Sequence, residues 1–157
     1  MAIGTVEAAR AASTFPVAAG GPAGVLHVAW GTYNIAAATA QNDIIKFCRL
    51  PKGATVVDGR LYGQDVDTGT ETWDMDIGWL ANGDEVADPD GFGNFGVISG
   101  DALDGGEVGV ERQFGGVLRS AGPKTFNAET IVAGTVNAAA NATGTGRVTC
   151  VVYYTVG

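Results

Sequence analysis

Seventeen acidic residues, one histidine and two cysteines are the material from which this 157-residue chain could build chemistry. The densest acidic group is Asp84, Glu85, Asp88 and Asp90, spread through a stretch that also holds Gly83, Pro89 and Gly91. Calcium takes oxygen ligands clustered on turns, so Asp84, Asp88 and Asp90 are the candidate metal ligands. The spacing is not that of an EF-hand: counting from Asp88, the twelfth position is Ser99 and not Glu. A solvated acidic loop is the plainer reading, and the same holds for Asp65 and Asp67. Asp74 and Asp76 could form a carboxylate pair for acid–base work. At i and i+2 on a strand, however, both fall on one face, which reads as the solvent face. Glycoside hydrolysis needs two carboxylates roughly 5–9.5 Å apart across a cleft, and no pattern in the sequence places such a pair.

His27 stands alone in a strand-like run, with no nucleophile or orienting carboxylate patterned around it, as a catalytic histidine would need. One His and the distant Cys48 and Cys150 lack zinc spacing. Each cysteine sits in a strand-like run and reads as a small buried hydrophobe. Gly91-Phe92-Gly93-Asn94-Phe95-Gly96 matches G-x-G-x-x-G, but that mechanism requires a strand before it and a helix N-terminus after it. Here Asp88-Pro89-Asp90 precedes it and Val97-Ile98-Ser99-Gly100 follows, so a loop with two aromatic anchors is expected. Asn141-Ala142-Thr143 is a glycosylation sequon with no signal peptide to give it meaning. No catalytic set, no cofactor and no enzyme activity are expected.

The elements that would carry these residues are strands. The chain is 46% hydrophobic with 25 glycines and only 17% charged residues, a composition of many turns between short strands. Glycine and alanine bury little area, so the core is expected to rest on the three Trp, six Phe and four Tyr. The net charge of −8 repels phosphate backbones, and no basic cluster offsets it. Neither nucleic acid nor an anionic membrane is an expected partner. Met1–Arg10 lacks the pattern of a secretory signal, and no run approaches the roughly 18 apolar residues of a membrane span.

Residues 1–24 read as an Ala/Gly-rich arm and residues 25–157 as one β domain. Fully extended, the arm would reach about 80 Å at roughly 3.3–3.6 Å per residue. Strands are expected over Val25–Ile35, Ile44–Leu50, Thr55–Tyr62, Thr72–Trp79, Thr130–Asn137 and Arg147–Val156, with weaker strand material over Glu107–Arg119. A bend is expected at Ala36–Asp43 and a turn at Pro51-Lys52-Gly53. In Thr55–Tyr62, Val57, Gly59 and Leu61 share one face. Ala81–Gly96 reads as a long loop, and Val97–Gly106 holds at most one helical turn. The sharpest alternation is Trp73, Met75, Ile77 and Trp79 against Thr72, Asp74, Asp76 and Gly78. A one-residue slip there would drive aspartates inward and tryptophans outward, so its register should be firmly fixed. About eight strands with Gly-rich turns argue for a single-domain antiparallel β-sandwich.

Several stretches resemble a group of tailed-phage virion proteins: Gly31-Thr32-Tyr33-Asn34, Asn42–Lys46, Leu50–Asp58, Asp65–Gly69 and Met75–Gly78. The resemblance covers about a third of the chain. It implies a capsid decoration, or cement, protein with a jelly-roll-like β-sandwich and an extended N-terminal arm. It also implies binding to the major capsid protein on the outer capsid surface as a homotrimer, after synthesis in the host cytoplasm. In that reading the arm residues Thr5, Val6, Phe15, Pro16 and Val17 are the expected capsid or subunit contacts. The alternative is a host- or glycan-binding, lectin-like head or tail-fibre module that uses the 81–96 region with calcium.

Overall fold

The computed structural model describes residues 5–7, 24–35, 39–64, 66, 72–98, 109–140 and 146–157. Ten strands and one short helix occur among them: β1 Thr5–Glu7, β2 His27–Ile35, β3 Ile44–Leu50, β4 Ala54–Gln64, β5 Asp74–Trp79, β6 Asp88–Val97, β7 Gly109–Gln113, α1 Val117–Ser120, β8 Lys124–Thr125, β9 Thr130–Ala138 and β10 Gly146–Val156. They form two sheets. Sheet A has the order β1-β3-β9-β5-β6, and sheet B the order β2-β10-β4-β7 with β8 added to β4.

The topology identifies the architecture. With the short β1 and β8 set aside, eight strands remain. In chain order the first, eighth, third and sixth make sheet B, and the second, seventh, fourth and fifth make sheet A. That interleaving is a jelly roll, a double-sheet sandwich of eight strands. All pairings are antiparallel except β1 on β3. The expected β-sandwich with a jelly-roll-like fold is therefore what forms.

Alternation builds the core between the sheets. Trp73, Met75 and Ile77 are fully buried and Trp79 nearly so, with Ile45, Phe47, Leu50, Val132 and Val136 beside them from sheet A. Sheet B contributes Val56, Leu61, Val148, Cys150, Val152 and Tyr154. Each large side chain so buried contributes about 1.5–3 kcal/mol. Both cysteines are buried and reduced. Burial pushes the Cys150 thiol well up, and the neighbouring Cys48 adds to the shift. Turn chemistry closes the ends. Ala54 N–H donates to Pro51 C=O at 3.1 Å across Gly53 at φ 83°. Before β3, Asn42 takes a left-handed φ of 72°, and the Asp43 carboxylate accepts from Ala40 N–H at 2.8 Å.

Four expectations are corrected. The first concerns Ala81–Gly96, of which only the beginning is loop. Asp88–Val97 is strand β6, and the Gly91–Gly96 motif lies inside it. The glycines that disguised the strand admit neighbours: a Cβ on Gly91 would lie 2.1 Å from the Trp79 ring. Phe92 then enters the core, 4.9 Å from Phe114 in a stack and 5.2 Å from Trp79 edge-on. The second concerns the phase of β4, which slips at Val57. The register with β10 shifts between Tyr153 and Tyr154, so that Asp58 and Val56 are successive partners. This bulge leaves Val57 exposed and puts Val56 in the core with Gly59 and Leu61.

The third correction is Asp76, which is buried and not on a solvent face. The fourth is that not every large aromatic is inside: Trp30 is 44% and Tyr62 40% exposed. The one helical turn is Val117–Ser120, while residues 99–108 lie outside the described residues.

Candidate assembly surface

Sheet B turns an apolar face to solvent, and the registers show how. Outward side chains align in rows across β2, β10 and β4. Val28 pairs with Tyr153 and Tyr153 with Asp58; Trp30 pairs with Val151 and Val151 with Arg60; Thr32 pairs with Thr149 and Thr149 with Tyr62. Val28 is 48% exposed. Just before β2, Leu26 is 56% exposed. Leu26 and the bulged Val57 line a shallow hollow together with Asp58, Arg60, Tyr62 and Tyr153. Contiguous exposed apolar surface on a soluble sheet marks an interaction site.

The polar groups around this face are already paired. Thr32 and Thr149 share a hydroxyl hydrogen bond of 2.8 Å across the strands. The Arg60 guanidinium donates to the Glu111 carboxylate, which holds it more firmly protonated than an ordinary arginine. Gln113 donates to Asp58 at 3.3 Å. A partner that covers the face therefore meets aliphatic and aromatic surface in the middle and neutralised charge at the edge, the anatomy of a protein–protein interface. Small inward residues explain why the large ones of β2 point out. Ala29 and Gly31 face the interior, and a Cβ on Gly31 would lie 1.9 Å from the Phe47 carbonyl oxygen of β3. The sheets approach so closely there that a large inward side chain cannot fit.

The outer face of sheet A is built differently. Asp76 and Gly78 lie on it but are buried: the start of β6 covers Gly78, and Asp76 sits beside Asn94 of β6 and Thr135 of β9 with hydrogen bonds from Asn137 and the Phe95 backbone. A Cβ on Gly78 would lie 1.8 Å from the Asp88 carbonyl oxygen. Burial raises the Asp76 pKa above its ordinary value, the nearby charges of Asp74 and Asp90 push the same way, and hydrogen bonds from Asn137 and the Phe95 backbone oppose them. What hollow remains, of about 220 Å³, is lined by Ile44, Trp79, Pro89, Ala133 and Thr135 among others.

The residues singled out from the sequence fall elsewhere. Among the described residues no three or more His, Cys, Asp or Glu side chains group as metal ligands, so Asp84, Asp88 and Asp90 do not converge as a trio. Asp84 and Glu85 N–H groups donate to the Asn82 side-chain oxygen at 2.9 and 2.8 Å. Glu85 pairs with Lys124 at 2.7 Å, and the Lys124 ammonium rests 5.2 Å from the Trp79 ring centroid. Asp88 is raised by burial and by its hydrogen-bonded neighbour Asp90. The His27 ring lies tilted beside that of Tyr154, centroids 5.5 Å apart. Thr5 and Val6 lie in β1, paired with Ile44 and Ile45 of β3. Phe15, Pro16 and Val17 lie outside the described residues. The sequence reading missed Leu26, Val28, Trp30, Tyr62 and Tyr153 as surface residues. The available signal was that both faces of β2 and β10 are apolar, more than one core can absorb.

The sequence matches no protein-family profile and no curated protein. Solved structures do share the fold. The chain is similar to one in the capsid of Ralstonia phage GP4, with a TM-score of 0.74 at 20% identity and 98% of each chain covered. It is similar to a chain of the cyanophage Pam1 capsid asymmetric unit, with a TM-score of 0.65 at 22% identity over 93% of this chain and 96% of that one. A third likeness is to the acidic stable capsid of Helicobacter pylori bacteriophage KHP30, with a TM-score of 0.55 at 20% identity over 84% and 89% of the two chains. The architecture is thus a jelly roll of the kind found in phage capsids.

Proposed function

We propose that this chain is a structural virion protein that decorates and stabilises a phage capsid by binding the lattice of its major capsid protein. The observation that carries the reading is the end-to-end likeness to a chain of the GP4 capsid, with 98% of both chains covered. A single jelly roll, with nothing substantial added or missing, recurs in that setting. The apolar outer face of sheet B supplies a surface suited to the lattice, with Trp30 as its central anchor. Tryptophan is among the residues that dominate interface energetics when buried in a partner.

In this reading the protein acts as a homotrimer on the outer capsid surface, after synthesis in the host cytoplasm. Three copies held together engage three lattice sites at once, so modest contacts at each site become tight binding through effective concentration. Closed threefold symmetry suits a threefold lattice position. The chain works by binding alone and performs no catalysis, and its acidic surface keeps it off the packaged nucleic acid. The arm, including Phe15, Pro16 and Val17, adds contacts to the lattice or to neighbouring copies.

The test is cosedimentation of the purified full chain with heads of its phage assembled without it. Saturable binding at a fixed number of copies per capsomer, with heads that then survive heating better, is the expected result. No binding at any concentration rejects the reading.

A further inference from the structure

The eight jelly-roll strands close both sheets without β1. That strand joins sheet A through three residue pairs only: Thr5 with Ile44, Val6 with Ile45 and Glu7 with Lys46. It is the only parallel pairing among the described strands, and its connection to the fold is long. Sixteen residues, 8 to 23, separate Glu7 from Gly24, and most are Ala, Gly or Pro. At roughly 3.3–3.6 Å each they span up to about 53–58 Å, long enough to reach beyond one sandwich when copies sit side by side.

The slot that receives β1 is equally well defined. One side of β3 is taken by β9. On its other edge, the described pairing covers Ile44, Ile45 and Lys46 alone. Ile44–Lys46 is thus a three-residue berth. It is read through backbone groups, so any copy of Thr5–Glu7 fits it equally.

We infer that Thr5–Glu7 is an exchanged strand: in the assembled protein it occupies the β3 berth of a neighbouring copy. This rests on the trimer reading above. The backbone pairs are the same within or between chains, so exchange forfeits none of them and ties each jelly roll to the next. Exchange of an identical element is a low-cost route to an oligomer. When copies sit side by side, a long tether brings the neighbour's berth within reach.

The experiment uses full-length chains carrying Thr5→Cys, Ile44→Cys or both. Partner Cα atoms in a strand pair are close enough for a disulfide. Thr5→Cys and Ile44→Cys chains are co-refolded in equal amounts, oxidised with copper–phenanthroline and run on non-reducing gels, with light scattering on the same sample. A covalent dimer formed by the mixture, and by neither variant alone, is expected. A trimer by light scattering with no dimer in the mixture, and a bond confined within the double-variant chain, overturns the exchange while leaving the trimer intact. A monomer at every concentration with the same internal bond overturns the trimer as well. A folded double variant that forms no bond, within or between chains, also overturns the inference, because β1 would then not occupy the berth.

Discussion

The two outer faces of the sandwich solve the same problem in opposite ways. Behind sheet A, the chain covers itself: β6 bulges over Gly78, and an aspartate ends up buried. Over sheet B none of the described residues folds back, and Trp30, Val28 and Tyr62 stand exposed. The inner faces, by contrast, are alike, both apolar and close-packed. Stability is therefore shared between the sheets, whereas the exposed aromatic side chains Trp30 and Tyr62 both stand on one of them. The difference teaches that sheet A's exterior belongs to the folding of this chain, and in the proposed reading sheet B's is left for a partner.

The strongest way to break the comparison is to add volume where sheet A seals itself. Gly78→Ala places a Cβ against the Asp88 backbone, which cannot swing away as a side chain would. Overpacking of this kind costs about 1–3 kcal/mol, with the upper end expected here. At roughly 2–4 °C per kcal/mol for a chain of this size, the melting temperature should fall by about 6–12 °C. Thermal unfolding followed by circular dichroism checks it, and an unchanged midpoint would mean that the face is not sealed.

Next comes Trp30→Ala on sheet B. Truncating a central interface tryptophan costs about 2 kcal/mol or more of binding, or roughly 30-fold in affinity for the capsid. Stability should move by less than about 1 kcal/mol, since the indole is 44% exposed. Thr135→Ala, on the outer face of sheet A, should leave capsid affinity within about 2-fold. Equal losses from the two substitutions, measured by cosedimentation, would erase the distinction between the faces.

How much of this was legible beforehand depends on how each segment signals. Trp73 to Trp79 announced itself because large apolar and small polar residues alternate without a break, and the strand and its inward face followed, although its register shifts against both neighbours. Cys48 and Cys150 read correctly as buried because a free cysteine in a strand behaves as a small hydrophobe. Strand β6 did not announce itself, since Asp88-Pro89-Asp90 and three glycines carry turn propensity; only the Trp79 ring above Gly91 explains why glycine is required there. The phase slip at Val57 is a bulge, and a bulge shifts the alternation by one residue with no local mark. The apolar outer face of sheet B was hidden by the rule that large residues go inside. That rule fails on β2 because Gly31 meets the β3 backbone, a contact between residues far apart in the sequence. Asp76 failed in the opposite sense, since alternation gave its face correctly but not the later strand that covers it.

A smaller effect sharpens the contrast from within the core. The Tyr154 hydroxyl is buried without a hydrogen-bond partner among the described residues, and burial, with Cys48 nearby, raises its pKa. An unsatisfied buried hydroxyl costs free energy that a hydrogen atom would not. Tyr154→Phe should therefore be neutral or stabilising by up to about 1 kcal/mol, with capsid affinity unchanged. A clear loss of stability in denaturant titration would show that the hydroxyl has a partner after all.

The finest test concerns the acid that sheet A buries. Asp76 has one carboxylate oxygen without a partner, and burial is the chief reason its pKa stands above the ordinary value of 3.8. The sign follows from proton linkage. Below that value, folded and unfolded chains both hold the proton and the group is neutral to stability. As the pH rises through it, the unfolded chain releases its proton first, so the fold loses stability until the folded carboxyl ionises too. The penalty is then fully present at neutral pH. Asp76→Asn cannot ionise and so escapes it. The melting temperature of the variant should match that of the parent near pH 3 and exceed it by about 1–3 °C at pH 7. Asp88 shifts in the same direction and stays in both proteins, so only the difference between the two curves isolates Asp76. A difference that stays constant with pH would place the carboxylate in water, and sheet A would then be no more sealed than sheet B.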